Sequence, residues 1–284
     1  MALQQFSVAM AVYEKDDPAH FGAAIDSIWN QTRKPDEIVL VVDGPIPATL
    51  HAEITARESI PCLRVIYLPE NRGLGIARDT ALAACKHDLV ALMDADDISC
   101  PDRFEKQMRR MEEDPSLSLV GGCIREFIGD VENAVSIRAV CEDDADIKED
   151  LKKRCPINHM TVLFRKSDIE QAGGYREFYY NEDYDLWVRM CLAGMKFANL
   201  PDVLVNVRVG EDMYRRRGGM RYYKSEARLQ KQLLDSKLIG HGRYALNLTK
   251  RFIVQVLLPH RLRGFVFRHF ARQAPKKQRK EVSP

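Results

Sequence analysis

Apolar positions follow two different periods along the first 120 residues. Four continuous apolar runs have the length of strands buried on both faces, and they occupy residues 6–13, 37–42, 63–68 and 89–93. Elsewhere apolar residues recur at helical spacing, which predicts helices over 20–31, roughly 47–58, 73–86 and 101–114, the last with Pro101 near its first position. The strand and helix order predicts an α/β fold with a mostly parallel sheet and helices on both faces.

The second half of the chain continues with shorter elements. Ser167 and Glu170 have the spacing of a capping box, which predicts a helix start. The elements expected in this half are a surface helix within 141–155, a strand over 160–166, a short helix ended by Gly173 and Gly174, and a helix around 185–191 with Gly194 at its end.

Composition and charge are those of a soluble protein with one unusual end. The chain has 284 residues, of which 45% are hydrophobic and 30% charged, and its net charge is +2. Residues 241–284 hold eleven Lys and Arg and one acid, so this end carries +10 and the remainder −8. A basic end on an acidic body predicts an anionic partner.

Several features indicate a cytoplasmic protein. The seven cysteines include no C-x-x-C pair, which favours free thiols in a reducing compartment over a zinc site. No signal peptide is expected from the first residues, "MALQQFSVAMAVYEKDD", because they lack a basic segment. The apolar run "FIVQVLLP" is too short to span a bilayer.

Polar side chains follow each predicted strand of the first half. In an open α/β sheet, ligands bind beyond the carboxyl ends of the strands. Asp94 and Asp96 end the fourth strand in "VALMDADDIS", and their mutual repulsion predicts a divalent cation, Mg²⁺ or Mn²⁺, that also binds phosphate. The other strand ends contribute Tyr13, Glu14, Asp43 and Asn71 to the same expected site.

Each of these residues also has a purely structural interpretation. The structural interpretation of Tyr13 is an aromatic residue packed in the core. The structural interpretation of Asp43 is a turn residue, because Asp followed by Gly favours turns. Asp97 is expected to cap the helix near Pro101 or to face solvent. The segment "RGLGIAR" is not a G-x-G-x-x-G and follows the third strand, so it does not predict a dinucleotide site.

The combined motifs resemble the family 2 glycosyltransferases of GT-A fold. The matching segments are "SVAMAVYEKD", "AIDSIWNQTRKPDEIVLVVDGP", "NRGLGIARDTAL", "ALMDADDISCPDRF", "GGYRE" and "NEDYDLWVRM", in the family's order over residues 6–208. The resemblance is greatest to bacterial enzymes of exopolysaccharide and O-antigen biosynthesis. It implies a Rossmann-like GT-A catalytic domain over 1–210, with a nucleotide-binding half (1–120) and an acceptor-binding half (121–210).

The resemblance also implies roles for individual residues. Tyr13 and Asp43 would contact the nucleobase, and Asp96 would bind the metal on the diphosphate with Asp94 nearby. Glu14, Asn71 and Arg78 would complete the nucleotide site. Asp183 would be the catalytic base with Glu182 beside it, whereas the residues alone favour the acidic start of a helix. The remaining acceptor-site candidates are His159, Tyr175 and Trp187, and for His159 a structural role is the main alternative.

The resemblance implies inverting transfer of a sugar from a nucleotide-sugar donor to a polyprenyl-linked or other glycan acceptor. The expected donor is a UDP-sugar, because Tyr13 and Asp43 match the uracil-binding positions of the family. Residues 211–272 are expected to form a helical extension and 273–284 a disordered basic tail. Together they would hold the protein on the anionic inner face of the plasma membrane. Nucleic acid is not an expected partner, because no recognisable motif for it is present. The alternatives are a sugar nucleotidyltransferase and a non-catalytic membrane-docking module.

Overall fold

A nine-stranded mixed sheet forms the centre of the computed structural model, which describes residues 4–210 and 218–259. The strands are β1 (Phe6–Tyr13), β2 (Glu37–Asp43), β3 (Leu63–Tyr67), β4 (Leu89–Met93), β5 (Ile98–Ser99), β6 (Leu117–Phe127), β7 (Ala134–Arg138), β8 (Leu163–Arg165) and β9 (Lys196–Arg208). Their spatial order is β3-β2-β1-β4-β8-β6-β9-β5, and β7 pairs with β6 outside this path.

Helices cover both faces of the sheet. They are α1 (Pro18–Trp29), α2 (Ala48–Thr55), α3 (Leu74–Ala84), α4 (Arg103–Glu113), α5 (Asp144–Leu151), α6 (Lys166–Gln171), α7 (Glu182–Leu192), α8 (Met220–Asp235) and α9 (His241–Phe252). A 3₁₀ turn spans His159–Thr161, and a π-helical turn, Ile253–Leu257, continues α9.

The first four long strands confirm the predicted parallel half. β1 pairs in parallel with both β2 and β4, and β2 pairs in parallel with β3. From β8 onward antiparallel pairs enter the sheet. Because β1 lies between β2 and β4, the carboxyl ends of all three strands meet at one edge, where Tyr13 is the register partner of Asp43.

Alternate side chains of the buried strands enter two separate cores. Val8 and Met10 of β1 pack on the face that carries Phe21 and Phe104, and Ala9 packs on the face that carries α3 and α7. Each large apolar side chain buried in this way contributes about 1.5–3 kcal/mol. β3 departs from the expected double burial, since its side chains are half-buried or exposed at the edge of the sheet.

Three details of the predicted elements are wrong. The capping box does not form: α6 begins at Lys166 without a side-chain cap, and the Ser167 N–H donates instead to Asp88. Pro101 precedes α4, whose first residue is Arg103. The strand predicted over 160–166 is shortened to β8, because His159–Thr161 forms the 3₁₀ turn before it.

The expected helical extension is observed in part. α8, α9 and the π-helical turn occupy the described residues beyond 217. The rest of the predicted extension (211–217 and 260–272), the tail at 273–284 and most of the basic residues of that end lie outside the described residues. Among residues 4–210 and 218–259, no helix is long and apolar enough to cross a membrane.

Candidate functional site

A cavity of about 510 Å³ opens at the carboxyl ends of β1, β2 and β4. Six of the predicted nucleotide and metal residues line it: Tyr13, Asp43, Asn71, Arg78, Asp94 and Asp96. Asp16, which was not predicted, is a seventh polar residue of the lining. Glu14 is exposed and lies outside this lining. The parallel strands therefore collect residues from four distant segments, and we call this space the first cavity.

Asp43 organises the loop that closes one side of the first cavity. Its two carboxylate oxygens accept the backbone N–H groups of Arg72 and Gly73 at 2.8 and 2.9 Å. Gly44 has a φ of +85°, and a Cβ at this position would lie 2.4 Å from the backbone nitrogen of Asn71. Asp43 is therefore not only a turn residue, because its carboxylate holds Asn71 and its neighbours against the end of β2.

Three carboxylates that interact with one another line the first cavity: Asp16, Asp94 and Asp96. Burial, and after it the negative charges of Asp96 and Asp94, raises the pKa of Asp16 to about 6. Burial and the charge of Asp94 also raise the pKa of Asp96. The two raised pKa values show that negative charge is unfavourable at these buried carboxylates. A hard divalent cation bound to their oxygens would stabilise that charge.

Arg78 joins this acidic cluster to the first turn of α7. Its guanidinium lies 2.7 Å from Asp94 and 3.7 Å from Glu182. Burial by itself would raise the pKa of Asp94, but the Arg78 charge holds it below its usual value. The pKa of Glu182 is raised, first by burial and then by Asp183. The Arg78 guanidinium therefore brings the acids at the end of β4 and at the start of α7 to a common site.

Asp183 faces a second cavity of about 360 Å³. The start of α7, which presents Asp183, is held by α8: Asn181 donates to the Ser225 hydroxyl at 3.1 Å, and Ser225 donates to the Tyr179 carbonyl. Glu182 contacts Arg78 of the first cavity, and its neighbour Asp183 lines the second. The two cavities therefore adjoin at the N-terminus of α7.

His159 lies at the inner side of the second cavity and bonds to Tyr175. Its Nε2 is 2.9 Å from the Tyr175 hydroxyl. Burial and the nearby Arg78 charge lower the pKa of His159 to about 3, so its ring is neutral at physiological pH. Trp187 does not fit the predicted acceptor contact, because it is fully buried in the core, 6.1 Å from the His159 ring.

Both interpretations of Asp97 are wrong. The side chain is 2% exposed and accepts the Arg208 N–H at 2.9 Å, so it ties the β4 end to β9 instead of capping α4 or facing solvent. Arg103 was not predicted from the sequence, and its fully buried guanidinium donates to the Leu92 carbonyl at 2.8 Å. Burial lowers the pKa of Arg103 to about 9.

A sequence model described as Glycosyl transferase family 2 matches residues 7–171. The chain belongs to this family. The family assignment confirms that the protein is a glycosyltransferase and decides against the nucleotidyltransferase and the non-catalytic module.

Curated relatives of this glycosyltransferase are similar over nearly their whole length. The amylovoran biosynthesis glycosyltransferase AmsE of Erwinia amylovora is 38% identical over 262 residues, which are 92% of this chain and 97% of AmsE. A UDP-Gal:α-D-GlcNAc-diphosphoundecaprenol β-1,3-galactosyltransferase of Escherichia coli is 32% identical over 269 residues, 95% of this chain and 97% of that enzyme. The O-antigen biosynthesis glycosyltransferase WbnJ of Escherichia coli is 28% identical over 250 residues, 84% of this chain and 92% of WbnJ. The resemblance to exopolysaccharide and O-antigen enzymes is confirmed.

Solved structures confirm the predicted GT-A fold of the glycosyltransferase. Staphylococcus aureus TarS 1-349 in complex with UDP-GlcNAc matches with a TM-score of 0.66 and 16% identity, over 94% of this chain and 76% of that one. The mannosyltransferase PcManGT of Pyrobaculum calidifontis, in complex with GDP-Man and Mn²⁺, matches with a TM-score of 0.61 and 16% identity, over 89% and 70%.

The acidic cluster of the glycosyltransferase has oxygen donors that would suit a divalent metal held only in part by the protein. Among the described residues, no group of three or more His, Cys, Asp or Glu is arranged to hold an ion by itself. Magnesium-type sites often use one or two carboxylates and complete the shell with phosphate oxygens and water. Asp16 is the member that the sequence analysis missed, although it follows β1 as closely as Asp96 follows β4.

The second aspartate of "EDYDLW" is a structural residue of the glycosyltransferase. Asp185 is buried and accepts from Arg189 at 2.9 Å, and Arg189 also donates to the Gly174 carbonyl at 2.7 Å. Because Asp185→Ala leaves the buried guanidinium of Arg189 without a counter-charge, we expect it to lower the free energy of unfolding by about 3–5 kcal/mol. Urea denaturation of both proteins measures this change, and a loss below about 1 kcal/mol would contradict it.

The pKa of Asp16 makes the stability of the glycosyltransferase depend on pH. Because this pKa is about 6 in the folded state and ordinarily 3.8, the folded chain binds more protons between these values. Stability is therefore lost as pH rises through this window. Asp16→Asn keeps an acceptor for the Tyr13 N–H and removes the charge.

We expect Asp16→Asn to exceed wild type in stability by about 1 kcal/mol at pH 8 in EDTA, after allowance for solvent screening, and to equal it at pH 3.5. Urea denaturation at the two pH values measures the difference. A difference that is independent of pH would show that the carboxylate charge is not its cause.

Proposed function

We propose that this glycosyltransferase inverts the anomeric centre of a sugar as it moves it from a nucleoside diphosphate, UDP, to a hydroxyl of a glycan acceptor. The observation that carries the proposal is the pair of acid sites joined by Arg78, which lies 2.7 Å from Asp94 and 3.7 Å from Glu182. Asp94 lines the first cavity, and Asp183, the neighbour of Glu182, lines the second. Inverting transfer needs this division, because one site serves the leaving group and the other serves the attacking alcohol.

The first cavity suits the nucleotide-sugar donor. Tyr13 and Asp43 would contact the base at the ends of β1 and β2, and Asn71 and Arg78 would contact the remainder of the nucleotide. UDP is preferred because the Escherichia coli galactosyltransferase that is 32% identical to this chain is named for its use of UDP-Gal, and TarS was solved with UDP-GlcNAc. PcManGT, solved with GDP-Man, is the neighbour that favours GDP. Glu14, being exposed outside the cavity, has no place in this proposal.

Asp96 and Asp94 would hold Mn²⁺ or Mg²⁺ together with the diphosphate. When bound, the ion offsets negative charge on the departing diphosphate. Arg78 already neutralises part of the Asp94 charge, which leaves Asp96 as the carboxylate with the greater need for a cation.

Asp183 would accept the proton of the acceptor hydroxyl as that oxygen attacks the anomeric carbon. Attack from the face opposite the leaving group inverts the centre in a single displacement. Glu182 keeps Arg78 beside the acids and so acts on position and charge. His159 and Tyr175 would shape the acceptor side through their mutual hydrogen bond.

The acceptor is a lipid-linked glycan of bacterial surface polysaccharide biosynthesis. The names of AmsE, WbnJ and the galactosyltransferase that uses a diphosphoundecaprenol-linked sugar support this proposal. The catalytic domain would comprise residues 1–210, and the extension from 211 with the basic end would keep it at the inner face of the plasma membrane.

Hydrolysis of nucleotide sugars without acceptor tests the proposal. Wild type is incubated with UDP-, GDP- and dTDP-sugars in Mn²⁺, and release of the nucleoside diphosphate is measured with and without EDTA. Metal-dependent release from a UDP-sugar is the expected result. The absence of release and of nucleotide binding with every sugar nucleotide would overturn the proposal.

A further inference from the structure

We propose that Arg208, at the end of β9, is a positioning residue for the metal site of the first cavity. Residues 94–97, which we call the acid loop, connect β4 to β5 and carry Asp94 and Asp96. Arg208 holds the backbone of this loop so that the Asp96 carboxylate faces a divalent cation. The inference rests on the proposed function, to which the metal role of Asp96 belongs, and it adds a residue outside the segment 7–171 that the family model matches.

The Asp96 side chain has no support of its own. Its carboxylate forms no hydrogen bond or ion pair with another residue in the part of the chain that the structure describes, whereas the Asp94 carboxylate is held by Arg78 at 2.7 Å. Asp96 is exposed and lines the first cavity. The direction of its carboxylate is therefore set by the backbone of the acid loop.

β9 runs beside the acid loop in the antiparallel direction. β5, which follows the loop directly, pairs with β9 in a register that places Ile98 opposite Asn206. Continuation of this register by two residues places Asp96 opposite Arg208. β9 is itself fixed along its length by its parallel pairing with β6, which extends to Arg208. The end of β9 is therefore a rigid support beside the acid loop.

Arg208 contacts the acid loop with both its main chain and its side chain. Its backbone N–H donates to the Asp97 carboxylate at 2.9 Å, and its Nε donates to the Asp96 carbonyl at 3.2 Å. Two consecutive residues of the loop are thereby attached to one residue of β9. The Asp96 carboxylate consequently projects from a backbone that Arg208 fixes on the side away from the first cavity's ligand.

The other end of the Arg208 guanidinium is anchored to the turn between β6 and β7. Its Nη1 donates to the Gly129 carbonyl at 2.7 Å, and its Cζ lies 4.7 Å from the centre of the Phe127 ring. The turn is closed by the Ile128 N–H, which donates to the Asn133 carbonyl at 3.2 Å. A planar guanidinium donates to two carbonyls in fixed directions, which the flexible ammonium of lysine does not reproduce. Arg208 is therefore a rigid link between this turn and the acid loop.

The sign of the effect on metal binding separates positioning from charge. A guanidinium near a divalent cation repels it, so an arginine that acted only through its charge would weaken metal binding, and its neutralisation would strengthen metal binding. An arginine that holds the acid loop has the opposite effect, because its removal loosens the metal carboxylate. Residues that orient metal ligands typically contribute about 10–100-fold to metal affinity.

Calorimetric titration of Mn²⁺ into the protein with saturating UDP tests the inference. We expect Arg208→Gln to weaken Mn²⁺ binding by about tenfold or more, and Arg208→Lys to weaken it as well, although lysine keeps the charge. UDP binding in EDTA should equal that of wild type, because the contacts that Arg208 makes are to the protein itself.

Arg165→Gln is the matched control for Arg208→Gln. Arg165 also ends a strand, β8, is half-buried and donates to two backbone carbonyls, those of Leu117 and Pro115, at 3.0 and 3.1 Å. It lines neither cavity. We expect Arg165→Gln to bind Mn²⁺ as wild type does, which would show that the loss of a carbonyl-binding arginine elsewhere in the sheet does not disturb the metal site.

Two results contradict the inference directly. Mn²⁺ binding by Arg208→Gln that equals or exceeds that of wild type would show that Arg208 does not position the metal ligand. An equal loss of UDP binding in EDTA would show that Arg208 contacts the nucleotide instead. Urea denaturation identifies the variants that are folded in the assay, and Arg208→Lys supplies the measurement if Arg208→Gln is unfolded.

The inference and the proposed function fail in different ways. If wild type binds Mn²⁺ with UDP and hydrolyses a UDP-sugar, but the Arg208 variants bind Mn²⁺ as tightly, the inference fails and the proposed function stands. If wild type binds no Mn²⁺ in the presence of UDP, the metal role of Asp96 in the proposed function fails, and the inference fails with it.

Discussion

Asp96→Asn is expected to reduce sugar transfer and metal-dependent hydrolysis of the sugar nucleotide by about 10³-fold. The substitution retains the size of the side chain and removes the charge that the cation needs. Asp94 by itself does not replace it, because the Arg78 guanidinium at 2.7 Å already neutralises part of the charge of that carboxylate. Initial rates with the preferred UDP-sugar over a range of Mn²⁺ concentrations measure the effect, and the apparent affinity for Mn²⁺ should fall with the rate.

Asp102→Asn is the matched control for Asp96→Asn. Asp102 is a half-buried residue six positions along the chain, and its carboxylate pairs with Lys106 at 2.7 Å, outside the first cavity. We expect it to keep the wild-type rate. A rate within about tenfold of wild type for Asp96→Asn would assign the metal to other residues or show that none is needed.

Asp183→Asn is expected to lower kcat for transfer by about 10²–10⁴-fold, the usual contribution of a positioned base. KM for the sugar nucleotide should change little, because Asp183 lines the second cavity and not the first. Stability should also be retained, since the buried ion pair of α7 is formed by Asp185 and Arg189. Steady-state transfer kinetics and urea denaturation measure the two properties separately.

Asp168→Asn provides the corresponding control, because Asp168 occupies the first turn of α6 as Asp183 occupies that of α7 and lines neither cavity. An unchanged kcat in Asp183→Asn would assign the proton transfer to another group. A large rise in KM for the sugar nucleotide with kcat retained would instead place Asp183 in binding of the nucleotide sugar.

The sequence by itself determined the parallel half of the fold and the edge at which its ligands bind. Runs such as 6–13 and 37–42 are apolar throughout, and strands buried on both faces require such runs. Once these strands are parallel neighbours, the residues after them must meet at one edge. Tyr13, Asp43 and Asp96 could therefore be located from local pattern alone.

Only the tertiary structure decided which charges meet. Arg78 and Glu182 are about a hundred residues apart, and Asp97 accepts from Arg208 over a similar separation. Periodicity describes which face of an element is buried, but not which element covers it. Trp187 illustrates the limit: the family resemblance made it an acceptor-site candidate, and packing placed it in the core.

The second cavity was beyond sequence pattern for the same reason. Its wall combines β7, the end of α5, the start of α7 and the helices α8 and α9, and of these segments only the start of α7 carries a motif, "NEDYDLWVRM". Local spacing fixes secondary structure because neighbours along the chain share one backbone geometry. A site built from side chains of five separate elements exists only after those elements have packed.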